Sequence, residues 1–89
     1  MNGHGFIYFW RILSESGFIK VCSANSPVGS QSIMFVGEDV IDQSLSNELS
    51  QRNINTKAEC KSDGMNIRVR FRFDLNPSGD TIAVDVQRF

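Results

Sequence analysis

Arg68, Arg70 and Arg72 alternate with Ile67, Val69, Phe71 and Phe73. In a strand, every second residue shares a face, so the three guanidinium groups would line up together. With Lys57 and Lys61 nearby, that face could follow a phosphate backbone. Stacking bases on a sheet also needs aromatic rings on the basic face. Phe71 and Phe73 fall on the opposite face, and Glu59, Asp74 and Asp85 offset the charge. The preferred reading is a solvated sheet face whose Arg stems cover strand backbone. Nucleic acid is therefore disfavoured as a partner, and the face of Lys57, Arg68, Arg70 and Arg72 is kept as the alternative binding surface.

His4 is the only histidine. A general base needs an oriented partner and a metal needs several ligands, and neither stands at recognisable spacing. It reads as a mobile terminal residue. Glu38, Asp39 and Asp42 lack the alternating oxygens of a calcium loop. They read as acids complementing a helix start. Cys22 and Cys60 sit in strand-like runs and read as buried free thiols. No metal and no cofactor is expected.

The aromatic set near the start is the remaining candidate. Phe6, Tyr8 and Trp10 alternate with Ile7 and Phe9, and Arg11 follows. In a regular strand Phe6, Tyr8 and Trp10 share one face. A narrow helix covers only one side of a sheet, so rings on the other side stay open to a partner. The competing reading buries them under the segment 24–36. Phe6, Tyr8, Trp10 and Arg11 are the expected partner-binding residues.

The elements that must position these groups follow from periodicity. Residues 5–13 and 18–22 form a predicted hairpin around Ser14-Glu15-Ser16-Gly17. Residues 24–32 read as loop, and Ile33–Val36 as a run of ambiguous state. A helix is predicted from Gly37 to about Arg52, with Ile41, Leu45 and Leu49 as its apolar stripe and Asn53 ending it. Ile54 to Lys61 alternates, and Asp63-Gly64 suits a type I′ hairpin loop. That register pairs Cys60 with Ile67 and sets Glu59 opposite Arg68. Asn76-Pro77-Ser78-Gly79 turns the chain into a last strand, with Phe71 opposite Val84 and Arg70 opposite Asp85.

The whole is one small α+β domain of 89 residues. The expected architecture is an antiparallel sheet of five strands, or six if Ile33–Val36 adds one, in the order β-β-(β)-α-β-β-β. One helix packs on one face. Val69 and Phe71 are expected deep in its core.

Net charge is −1, from 9 basic and 10 acidic residues, which gives no bulk drive toward nucleic acid or an anionic membrane. No run reaches the roughly 18 apolar residues of a membrane span. The first residues lack the basic start of a signal peptide, so the cytoplasm is the expected compartment. The expected function is a non-catalytic module that occupies the surface of another protein, as a small inhibitor, an immunity or anti-defence protein, or an assembly factor. A homodimer is an option at this size. The alternatives are a nucleic-acid-binding module and a small enzyme subunit completing its site across a dimer.

Overall fold

Thr56 begins the element that overturns the expected sheet. Its hydroxyl accepts from the Glu59 backbone N–H at 3.1 Å and donates to the Glu59 carboxylate at 3.1 Å. Thr-x-x-Glu is a capping pattern, and Lys57, Ala58, Glu59 and Lys61 are strong helix formers. In the computed structural model, which describes residues 2–22, 32–52 and 54–89, Lys57–Asp63 is therefore a helix, α2, and not a strand. Gly64 ends it in the left-handed conformation, at φ 70°, with its N–H on the Cys60 and Lys61 carbonyls. Asp63-Gly64 is thus a helix end and not a hairpin loop. The expected pairs Cys60–Ile67 and Glu59–Arg68 do not form.

The strands are β1 (Asn2–Arg11), β2 (Ser16–Val21), β3 (Ser32–Val36), β4 (Ile67–Leu75) and β5 (Thr81–Arg88). They close into a barrel in the order β1-β2-β3-β5-β4. All neighbours are antiparallel except β3 and β5, which meet as a parallel pair at Met34 and Ile82. A parallel contact needs a long crossover. The chain between β3 and β5 supplies it, with a 3-10 turn at Gly37–Asp39, helix α1 at Gln43–Gln51, α2 and then β4. The open antiparallel sheet with one covering helix is corrected to a closed mixed barrel with two short α-helices. The physical reason is economy of burial: a sheet closed on itself buries one face of every strand without a helical layer.

Ile7, Ile19, Ile33, Phe35, Val69, Phe71 and Val86 fill the core, together with Leu45 and Leu49 of α1 and Cys60 of α2. Val69 and Phe71 are buried as expected. The predicted long helix begins later, at Gln43, because the Asp42 side chain caps it by accepting from the Leu45 N–H. Ile41 therefore lies outside the helix and is exposed. The run at Ile33–Val36 is a strand. The expected loop at residues 24–32 lies almost wholly outside the described residues, as does the terminator Asn53.

Two bulges shift the expected registers. In β1 the pairing with β2 slips between Ile7 and Phe9. In the β4–β5 ladder it slips between Arg70 and Arg72, where Asp85 takes a positive φ of 51°. Arg72, not Phe71, therefore faces Val84, and Arg70 faces Gln87.

Candidate functional site

The bulge in β1 decides which rings face water. Strict alternation would put Trp10 beside Phe6 and Tyr8. One extra residue turns Trp10 inward instead, where it is 3% exposed and stacks on Phe35 at 5.7 Å. Trp10 is thus corrected from surface residue to core. Phe6, Tyr8 and Phe9 are half-buried, and Arg11 is exposed.

Residues directly opposite each other on neighbouring strands share a face. Phe9 pairs with Phe18, and Phe18 pairs with Met34. Phe18 and Met34 are 38% and 40% exposed, so this row points outward. The Phe9 and Phe18 rings lie 5.8 Å apart and tilted. The row below it is Arg68, Phe6 and Lys20, from the pairs Phe6–Arg68 and Phe6–Lys20. Arg11 stands above, opposite Ser16. One outer face of β1, β2 and β3 thus carries rings, a thioether and cations together, with Arg68 on the adjoining edge of β4.

The electrostatics divide the molecule. Among the described residues, the ion pairs engage only Arg52, Arg72 and Arg88 as cations. Arg11, Lys20, Lys57, Lys61, Arg68 and Arg70 form no ion pair with a carboxylate among the described residues. Arg68 lies 5.6 Å over the Phe89 ring. Four of the acids gather around Asp39. Partial burial raises the Asp39 pKa, and the nearby charges of Glu38, Asp85 and Asp74 raise it further. Arg72 belongs to that side, donating to Asp85 at 3.0 Å and ion-paired with Asp74 at 3.7 Å. Arg70 bonds Gln87 at 3.1 Å.

No family model, no curated protein and no solved structure matches this chain.

Of the sequence-derived candidates, Phe6, Tyr8, Arg11, Lys57 and Arg68 come to one side of the barrel. Trp10 goes to the core, and Arg70 and Arg72 lie against β5. Phe9, Phe18, Lys20 and Met34 were not among the candidates. The alternation Phe18-Ile19-Lys20 carried a signal, since it sets a ring and a cation on one face. His4 is part of β1 rather than a loose terminus, with its ring 5.4 Å from Phe89. Cys60 is buried and Cys22 exposed, both free. Among the described residues, no three His, Cys, Asp or Glu side chains gather as a metal site, and no helix is long and apolar enough to cross a membrane.

Proposed function

We propose that this protein binds single-stranded nucleic acid, non-catalytically, on the outer face of β1, β2 and β3. The observation that carries the reading is the outward row Phe9–Phe18–Met34 beside the row Arg68–Phe6–Lys20. Bases stack on exposed rings whatever their identity, and unpaired cations follow the phosphates. The objection raised by the sequence was that Phe71 and Phe73 oppose the arginines. It does not apply to this face, where rings and cations coincide. Topology adds an analogy about location. Five strands in a barrel are also the frame of oligonucleotide- and oligosaccharide-binding barrels, which use the face of strands 2 and 3. The net charge of −1 is compatible with such a role because four of the ten acids, Glu38, Asp39, Asp74 and Asp85, group together around Asp39. Action in the cytoplasm, where single strands are available, belongs to the same proposal.

Titration of a fluorescent oligothymidylate, followed by anisotropy at several salt concentrations, tests it. Binding should weaken linearly in log–log form as salt rises. Absence of binding at low salt would remove the reading.

The second reading is a protein partner on this same face. Its support is the apolar row itself, with Phe18 and Met34 more than a third exposed. Binding to that partner would depend on Phe18 and little on salt.

A further inference from the structure

A cleft of about 490 Å³ opens beside the aromatic row. Tyr8, Phe9, Lys57, Lys61, Met65 and Asn66 line it. It exists because β1 leaves β4 after the Ile7–Ile67 pair, and α2 packs along the freed stretch of β1. The buried Cys60 thiol, 3.5 Å from the Trp10 carbonyl oxygen, pins α2 there. Phe9 belongs to both places, touching Phe18 on one side and the cleft on the other.

Lys57 and Lys61 are one helical turn apart and share a face of α2. The acids of that helix point to other duties. Glu59 is bound to Thr56 at its cap, and Asp63 pairs with Arg52. Two ammonium groups are thus left without an ion pair among the described residues, beside the apolar Tyr8, Phe9 and Met65 of the cleft.

We infer that this cleft takes the end of the bound strand, with Lys57 and Lys61 on its phosphates and Tyr8 and Phe9 against its base. The inference rests on the proposed aromatic-face reading and extends it around the edge of β1. The occupant is a nucleotide of the same strand, because Phe9 both lines the cleft and stands in the aromatic row. Charge complementarity selects an anion, and the ring-lined floor selects one carrying a base.

The test is a salt titration of the double variant Lys57→Gln, Lys61→Gln against labelled oligothymidylates of about 4 and about 12 nucleotides, both within the roughly 4–16 that a single such barrel covers. Both lysines are exposed, and a thermal melt checks that the fold is kept. Each phosphate contact on a single strand contributes about 0.7 to the slope of log affinity against log salt. The double variant should therefore lose about 1.4 from that slope with the longer probe. It should also lose most of the affinity that wild type gains between short and long probes. A wild-type slope in the double variant, with binding to Phe18 intact, would overturn the cleft and leave the aromatic face standing. No binding by wild type at either length would overturn both.

Discussion

Phe9 and Phe18 face each other across the β1–β2 ladder with ring centroids 5.8 Å apart, on the outside of the barrel. Phe9 is also packed against the core, whereas Phe18 is 38% exposed. The two rings should therefore separate function from stability. Phe18→Ala is expected to weaken oligonucleotide binding by about 1–3 kcal/mol while shifting unfolding little. Anisotropy and a thermal melt on one sample check both. Unchanged affinity would mean that the ring is not a stacking platform.

Much of the fold was legible because burial imposes periodicity. β4 alternates in and out from Ile67 to Arg72, and both ends of the β1–β2 hairpin are marked by turn residues. What misled was a short segment carrying two valid patterns. Residues 54–61 alternate like a strand, yet Thr56 and Glu59 also form a cap and Gly64 a stop. Tertiary packing of Cys60 against β1 settles the choice. Barrel closure was not legible, since it rests on pairs distant in sequence: the parallel contacts Met34–Ile82 and Val40–Val86 and the β1–β4 ladder. The site was half legible for a related reason. A bulge reverses every later side chain in its strand, and nothing in the run Phe6 to Trp10 announces where it falls.

The helix reading of residues 57–63 has its own check at Gly64. A Cβ there would meet nothing within 4 Å, so only the backbone opposes substitution. A left-handed conformation costs an L-residue about 1–2 kcal/mol. Gly64→Ala should lower the unfolding free energy by that amount, read from the shift in urea midpoint at an unchanged slope, and Gly64→Asn should cost less. Equal stability of wild type and Gly64→Ala would contradict the αL helix end.

Close strand approach at the hairpin predicts a different glycine effect. A Cβ on Gly17 would run into the Phe9 carbonyl oxygen and the Phe35 ring, with no room to yield on the backbone side. Gly17→Ala should destabilise by about 1–3 kcal/mol through overpacking. Because Phe18 follows directly, it should also weaken oligonucleotide binding more than its stability loss alone explains. Calorimetry paired with anisotropy below the melting range separates the two effects.

Phe71 lies inside the barrel, 3% exposed, with its ring edge-on to Phe73 at 5.1 Å. Its removal leaves a cavity that neighbouring strands cannot close, at a cost of about 3–5 kcal/mol. Phe71→Ala should lower the melting temperature by more than about 10 °C. A melt within a few degrees of wild type would show that the core is elsewhere.

Acid sensitivity should reside in the carboxylates that tie the crossover to β5. Asp42 accepts from the backbone N–H of Arg88 at 3.1 Å and of Leu45 at 3.1 Å, and these bonds hold its pKa below the usual value. Glu48 is likewise lowered, first by the Arg88 guanidinium and then by Arg52 at 2.8 Å. Both groups bind protons less readily folded than unfolded. Their stabilising contribution is therefore complete above the ordinary carboxylate range, about pH 4. It is lost as pH falls through their depressed folded values. Asp39 has the opposite sign, since its raised pKa makes protonation favour the folded state. It offsets part of the loss. Asp42→Asn keeps a capping side chain and, combined with Glu48→Gln, should flatten the fall in stability between pH 5 and pH 2. Urea denaturation at a series of pH values measures this, and a double variant with the wild-type pH slope would place the acid-labile contacts outside this clamp.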